Sequence, residues 1–228
     1  MKHITSIFRI IVGSLFIVSG LIKANDPIGF SYKLKDYFAE DVLNLEFLAY
    51  IALPLAVIIC IAEIILGAAT LFGTKMKLVS WLLLAMIVFF TFLTFYSAYF
   101  EKVTDCGCFG DALKLTPWQS FYKDLVLLVF VAGIFIKRNS IISNTRNADL
   151  LFSMVSLCLI GFFSVGVISW FFPILFSFAV FYAIILLKKY SGTIAMTNSA
   201  VFVVPALLSL FLSLYVLRHL PIKDFRPY

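Results

Sequence analysis

An uncharged stretch of 38 residues, from Leu150 to Leu187, limits most strongly what this chain can fold into. A helix needs roughly 20 apolar residues to cross about 30 Å of hydrocarbon, so the stretch is too long for one ordinary span and long enough for two. Its only turn-forming residues lie between Gly166 and Pro173. We therefore predict two membrane spans joined by a tight hairpin in that segment.

The composition of the whole chain agrees with this prediction. Hydrophobic residues make up 63% of the 228 residues and charged residues 13%, and the mean hydropathy of +1.07 lies far outside the range of soluble domains. The net charge of +6 does not indicate a nucleic-acid partner, because the basic residues are spread over short loops instead of forming one basic face. The chain is therefore predicted to be an integral membrane protein surrounded by a lipid bilayer.

Seven apolar runs are long enough to be spans, and they predict an all-α, polytopic transmembrane helical bundle. The runs are Ile4–Ile22, Phe47–Phe72, Leu78–Phe100, Pro117–Ile136, Ala148–Ile168, Ser169–Leu187 and Ile194–Leu217. The fourth is the weakest by hydropathy, because its uncharged core is short. Thr116, Pro117 and Gln119 support it, since they have the pattern of a capping box with proline at the first helical position.

The segment between the first two spans has a helical pattern of its own. Phe30, Leu34, Tyr37 and Phe38 recur at helical spacing, with charged residues between them. This pattern predicts an interfacial amphipathic helix that lies on the outer leaflet. The helix is either a connector that lies on the membrane, which is favoured, or a roof over the cysteine loop or a lateral opening.

The orientation of the spans depends on where the basic residues stand. Half of the 18 basic residues fall on each side of a seven-span bundle, so their number alone does not orient it. One set crowds into short loops directly beside span ends, where the positive-inside rule is strongest, and this predicts an N-in, C-out topology. The segment Met1–Ala24 also resembles a signal peptide, but Ile22-Lys23-Ala24 is a poor cleavage site, so an uncleaved first span is favoured.

The loop between the third and fourth spans contains the residues best suited to chemistry. Cys106 and Cys108 flank Gly107 there, whereas Cys60 and Cys158 lie inside apolar runs and are expected to pack as small hydrophobes. The predicted topology places the loop outside the cytoplasm, where disulfides persist. A ring closed by cysteines two apart is strained, and strained, exposed disulfides tend to be oxidising and labile.

Three interpretations of this pair remain open from spacing alone. The first is a redox-active pair that exchanges with a partner thiol. The second is an inert disulfide that only closes the loop, and the third is two free thiols. A zinc site is disfavoured, because two thiolates need two further ligands and His219 is the only histidine on that side.

Charged residues at or inside span ends are the other candidates. Glu63 near mid-membrane costs about 2.5–3.5 kcal/mol unless it is paired or protonated, so it should face the bundle interior, either carrying a proton or hydrogen-bonded to a neighbouring helix. Lys23 could pair with it, but its place near the outer end of its span favours snorkelling. Lys123 and Asp124 lie on the side of the cysteine loop. They either position a partner and tune the thiols or form the hydrated end of a tilted helix.

Several motifs carry a family resemblance: Cys106-Gly-Cys-Phe-Gly110, Leu115-Thr-Pro-Trp118, Lys123-Asp-Leu125, Ser19-Gly-Leu-Ile-Lys23, and Glu63 before Gly67 and Gly73. Together they resemble the MauE branch of the DoxX-like membrane proteins. The resemblance covers about residues 1–138 and implies a DoxX/MauE-like four-span core with an extracytoplasmic Cys-Gly-Cys loop. Residues 139–228 then form a three-span C-terminal extension with an extracytoplasmic tail. Residues 219–228 resemble the linker by which longer relatives enter a soluble region, which suggests a fragment or a short version.

The resemblance also implies extracytoplasmic thiol–disulfide chemistry, which in methylamine-utilisation systems assists the maturation of a cofactor enzyme. The leading hypothesis is a thiol–disulfide redox or maturation factor of the bacterial inner membrane. Cys106 and Cys108 would exchange with a thioredoxin-like partner on the periplasmic side, and a quinone would be the natural electron acceptor. The alternatives are a non-catalytic scaffold with a structural loop disulfide, and a small transporter using Glu63. Against the transporter stand the lack of an inverted repeat and a single buried charge.

Overall fold

The computed structural model describes residues 2–40, 42–100, 115–190 and 194–219. Eight α-helices and no β-strand occur in these ranges, which confirms the all-α prediction. The helices are α1 (Lys2–Asn25), α2 (Pro27–Phe38), α3 (Ala52–Phe72), α4 (Met76–Phe100), α5 (Pro117–Lys137), α6 (Arg146–Gly161), α7 (Phe172–Tyr190) and α8 (Ile194–His219). A 3-10 turn, Glu46–Ile51, leads into α3, and a second, Arg138–Ser140, follows α5.

Seven helices of the described chain are long and apolar enough to cross a membrane, as the sequence predicted. They span His3–Asn25, Glu46–Phe72, Met76–Phe100, Pro117–Ser140, Arg146–Val167, Phe172–Tyr190 and Asn198–His219. The uncharged stretch is divided where the turn was predicted. After α6 the chain continues as a π-helical turn, Phe162–Val167, and then reverses at Ser169, whose φ of 57° is left-handed.

The helices α1 and α3 form the central pair of the bundle and approach each other closely along three glycines. A Cβ atom on Gly67 would lie 2.7 Å from the carbonyl oxygen of Gly13, and one on Gly20 would lie 2.9 Å from the carbonyl oxygen of Cys60. Only glycine fits such a separation of backbones, which is how small residues mediate helix packing in membranes. This contact fixes which faces of α1 and α3 meet.

The predicted helix between the first two spans is confirmed as α2, but its apolar face does not lie against lipid. Asp26 caps its start by accepting a hydrogen bond from the backbone N–H of Gly29 at 2.8 Å. The four apolar side chains of the predicted pattern are all buried, with Leu34 only 1% exposed. The helix therefore packs back onto the bundle, mainly against α3, and covers the end of α1.

At the end of the bundle opposite the α4–α5 connection, one arginine joins three segments of the chain. Arg9 of α1 donates to the carbonyl oxygens of Thr70 and Leu71 at 2.9 Å each and to Asn144 Oδ1 at 2.9 Å. Asn144, between α5 and α6, donates in turn to the carbonyl of Leu71 at 2.8 Å. These carbonyls belong to the last turn of α3, where the regular helical partners end, and the carbonyl of Thr70 also accepts from the backbone N–H of Gly73 at 3.4 Å. The three C-terminal helices are thereby docked on the first five, and α8 also packs along α3.

The start of α5 has the predicted capping box. The side chain of Thr116 accepts from the backbone N–H of Gln119 at 3.3 Å, and Gln119 Oε1 accepts from the backbone N–H of Thr116 at 3.0 Å. Pro117 occupies the first helical position. These local interactions fix where α5 begins, directly after the segment that contains the two loop cysteines.

We expect Thr116→Ala to lower the free energy of unfolding by about 1 kcal/mol, because it removes the side-chain oxygen of this cap. Thr145→Ala is the matched control, since Thr145 precedes α6 in the same position but makes no capping hydrogen bond with its side chain. Thermal unfolding in detergent, followed by helicity, measures both. Equal losses in the two variants would show that the capping box adds nothing.

Candidate functional site

A cavity of about 510 Å³ lies between α1, α4 and α5. Its walls are mainly apolar and aromatic. Residues lining it are Leu15, Phe16, Ser19, Lys23, Glu63, Ile87, Phe90, Leu115, Gln119, Tyr122, Lys123, Asp124, Val126, Leu127, Phe130 and Phe163. All four charged residues selected from the sequence, which came from three different helices, therefore meet at one cavity.

A buried ion pair at this cavity joins α1 to α3. Lys23 Nζ lies 2.6 Å from Glu63 Oε1, and each residue is 2% exposed. Lys23 also donates to Ser19 Oγ at 3.0 Å, and its ammonium group lies 4.5 Å from the ring centroid of Phe90 and 5.3 Å from that of Phe30. A buried ammonium group needs such a set of partners, because transfer out of water is costly.

The prediction that Lys23 snorkels to the membrane surface is therefore wrong. Two features that the sequence pattern did not show explain its burial. The helix α2 folds back over the end of α1, so Phe30 covers the lysine. The close approach at Gly20, where a Cβ atom would lie 3.1 Å from Glu63 Cβ, brings the carboxylate within reach.

Glu63 faces the bundle interior as predicted, and its partner on the neighbouring helix is the lysine ammonium group. Only one of its two carboxylate oxygens is used in this way. Oε2 is buried and accepts no hydrogen bond from any residue that the structure describes. Buried polar atoms usually have a partner, and Oε2 is one of eight buried side-chain polar atoms of the described residues that have none.

A second charged pair lies where α4 and α5 pack together. Asp124 is 2% exposed, and its Oδ1 lies 2.8 Å from Lys123 Nζ. Thr94 of α4 donates to Asp124 Oδ2 at 3.2 Å. The two neighbours therefore differ: the aspartate is enclosed between helices, and the side chain of Lys123 keeps 28% of its surface exposed. The interpretation as a hydrated helix end suits only the lysine.

The two cysteines of the predicted redox pair, Cys106 and Cys108, lie outside the described residues. The structure describes the chain on both sides of this segment: α4 ends at Phe100, and the described chain resumes at Leu115, which lines the cavity.

Cys60 is fully buried in the core, as predicted, and its thiol is free. The expectation that Cys158 packs inside is wrong, because it is free and exposed on α6.

Sequence reasoning missed two hydroxyl side chains, Ser19 and Thr94, that bond to the charged residues of the cavity. Ser19 stands one helical turn before Lys23, so helical spacing alone places it on the same face and could have identified it. Thr94 lies in an apolar run where a buried hydroxyl group usually bonds to its own helix, and the carbonyl oxygen of Phe90 at 3.0 Å is such an alternative acceptor for its single proton. Its bond to Asp124 depends on how α4 and α5 pack. No local pattern reveals that packing.

A polytopic bundle with seven helices long and apolar enough to cross a membrane, within the described residues, defines an integral membrane protein, and its paired charges line one cavity. The family model described as Methylamine utilisation protein MauE matches residues 1–137. The chain belongs to this family, as the sequence motifs predicted. No curated protein and no solved structure shows a significant match. The division at residue 138 into a core and an extension remains a prediction.

Proposed function

We propose that this protein is a thiol–disulfide redox or maturation factor of the bacterial inner membrane. Cys106 and Cys108 exchange electrons with a thioredoxin-like partner on the periplasmic side, in the N-in, C-out orientation. The observation that carries the proposal is the cavity itself. The helices that lead into and out of the cysteine segment, α4 and α5, line it together with the buried Lys23–Glu63 pair of α1 and α3. Membership of the MauE family supports it.

Buried charge is the physical reason to expect chemistry at this place. Ionisable residues inside a membrane are costly, and they mark functional sites by default. Lys23 and Glu63 are not needed to connect α1 to α3, because the glycine contacts already hold these helices together. The pair therefore brings opposite charges to a cavity beside α4 and α5, the helices that flank the cysteine segment.

The exchange itself needs no further group. A thiolate of the pair attacks a sulfur atom of the partner's disulfide, which forms a mixed disulfide and releases the partner's other sulfur as a thiolate. The second cysteine of the pair then attacks the first, which closes the Cys106–Cys108 disulfide and releases the reduced partner. Two electrons pass from the pair to the partner, and the reverse sequence reduces the pair.

The transporter alternative gains one observation from the structure. The prediction of a single buried charge is wrong. Among the described residues, Arg9, Lys23, Asp124 and Asp149 are buried as well as Glu63. Glu63→Gln tests this alternative, since a transporter that uses the carboxylate for coupling loses transport in this variant. A variant with full activity excludes it.

We expect Cys106→Ser and Cys108→Ser each to abolish exchange with the partner, and one of the two to accumulate a mixed disulfide. Thiol alkylation in intact cells measures this: a membrane-impermeant maleimide should shift the wild-type protein on a gel only after reduction. Mass spectrometry of the trapped complex should identify a protein with a thioredoxin fold.

Cys158→Ser is the matched control, because it removes an exposed cysteine from a helix distant in sequence from the pair. It should leave exchange and trapping unchanged. A double serine variant that keeps full function in cells would support the non-catalytic scaffold instead. Failure of the impermeant reagent to reach the reduced loop would contradict the proposed orientation.

A further inference from the structure

We propose that the cavity between α1, α4 and α5 binds the head group of a quinone, which serves as the membrane-soluble electron acceptor for the thiol pair. The electron-transfer part of this inference rests on the proposed function, whereas the binding site stands on described residues alone. Its volume of about 510 Å³ falls within the range of roughly 300–1,000 Å³ that is usual for small-molecule sites. Such sites combine apolar walls with a few polar groups, as this cavity does.

The charges of the cavity favour a neutral ligand. Two lysines and two carboxylates are found among the described residues that line it, and they form the pairs Lys23–Glu63 and Lys123–Asp124. The formal charge of these groups sums to zero, so an anionic lipid head group or a fatty-acid carboxylate gains no net attraction. A neutral ring with carbonyl oxygens needs no net charge in its binding site. Such a ring can pack against Phe90 and Phe130.

The unsatisfied oxygen of Glu63 indicates what the ligand must offer. Glu63 lines the cavity, and its Oε2 is buried and has no hydrogen-bond donor among the residues described. A quinol hydroxyl group donates a hydrogen bond, so it supplies the missing partner, and the adjacent Lys23 ammonium group favours negative charge on a ring oxygen during reduction. An acyl chain has no donor and leaves Oε2 unsatisfied. The carboxylate and the ammonium group thus suit a molecule that alternates between carbonyl and hydroxyl forms.

The redox step balances without any additional reactant. The thiols of Cys106 and Cys108 lose two electrons and two protons, and one S–S bond forms. The quinone takes up both electrons and both protons and becomes a quinol. A disulfide between cysteines two apart is strained and therefore oxidising, so its formation needs a strong oxidant, and quinones fill this role in maintaining the oxidising bacterial periplasm. The need for a strong oxidant is therefore the reason to propose a quinone as the electron acceptor.

Photolabelling of the full chain in phosphatidylcholine nanodiscs tests the site directly. The probe is a photoreactive short-chain benzoquinone, and labelled peptides are mapped by mass spectrometry. We expect saturable labelling of the α1, α4 or α5 segments that line the cavity, competed by unlabelled quinone but not by a long-chain alcohol. Equal competition by the alcohol would identify a general lipid site and overturn the proposal.

Two valines on α5 provide a matched pair of variants. Val126 lines the cavity and is 54% exposed, so it stands at the opening, whereas Val129 is 60% exposed and lies outside the lining. Val126→Trp should reduce labelling at least tenfold, and Val129→Trp should leave it unchanged. Leu127→Trp, which fills the cavity from a less exposed position, is the second variant. Unchanged labelling in folded Val126→Trp and Leu127→Trp proteins would overturn the site.

The double variant Cys106→Ser/Cys108→Ser separates the two proposals. It should bind the probe as the wild-type chain does, because the site does not include the thiols. The wild-type protein, reduced and then mixed with quinone, should form the disulfide and the quinol in equal amounts. Binding without disulfide formation contradicts the electron transfer and leaves the site standing. Disulfide exchange with the protein partner in the absence of quinone binding contradicts the site and leaves the proposed function standing.

Discussion

Replacing Lys23 by methionine is expected to lower the free energy of unfolding by about 3–5 kcal/mol, the usual result of leaving one member of a buried ion pair without its partner. Methionine keeps most of the volume of the lysine stem, so the loss reports on the charge rather than on a cavity. Glu63 remains buried beside Gly20 and loses the ammonium group that lies 2.6 Å away. Unfolding by titration with sodium dodecyl sulfate, monitored by helicity, measures the change.

Removing both charges should restore most of this stability. In Lys23→Met/Glu63→Leu no buried charge is left, and apolar replacements of buried ion pairs are often neutral or stabilising. Lys35→Met is the matched control, because Lys35 lies on the exposed face of α2, and its removal should change stability by less than about 0.5 kcal/mol. A double variant as unstable as Lys23→Met alone would show that the lysine acts through packing. The double-mutant cycle isolates the pair energy.

The spans and their ends could be predicted because local chemistry determines them. Length and apolarity define a membrane helix, and the cap formed by Thr116, Pro117 and Gln119 is complete within four residues. The hairpin near Ser169 follows from the length of the uncharged stretch. None of these features depends on how the helices are arranged.

The arrangement of the helices could not be read in the same way. Spans such as α4 and α8 are apolar on all sides, so periodicity does not separate the face that packs against protein from the face that meets lipid. The contact of α1 with α3 was accessible only through Gly13, Gly20 and Gly67. Glycines that fall on one face of a membrane helix indicate a close contact but do not name the partner helix.

The candidate site was predicted in part for the same reason. Glu63 was placed correctly in the interior, because the cost of a charge in hydrocarbon leaves no other position. Its pairing with Lys23 was not predicted, because the burial of the lysine depends on α2 folding back over α1. Asp124 was treated like its neighbour Lys123, although Thr94 of another helix helps to enclose it. The burial and the pairing of these charged residues depend on tertiary contacts, which the local sequence does not show.

Replacing Gly67 by leucine is expected to separate α1 from α3 and to lower the free energy of unfolding by at least about 3 kcal/mol, the upper end of the usual cost of overpacking. Its Cβ atom would lie 2.7 Å from the carbonyl oxygen of Gly13 and 3.1 Å from the backbone nitrogen of Ile17, and backbone atoms cannot move aside as a side chain can. The gain in helix propensity, about 1 kcal/mol, does not offset this cost. Unfolding by detergent titration measures the difference.

Gly166→Leu is the control for this prediction. Among the described residues, a Cβ atom there would lie near the side chain of Phe162 alone, at 3.9 Å, so the same added volume should change stability by no more than about 1 kcal/mol. Gly67→Leu should also weaken the Lys23–Glu63 pair, because Gly20 lies on the same contact between α1 and α3. Adding Gly67→Leu to Lys23→Met should therefore cost less than the sum of the two single changes. Strict additivity would show that the glycine contact and the ion pair are independent.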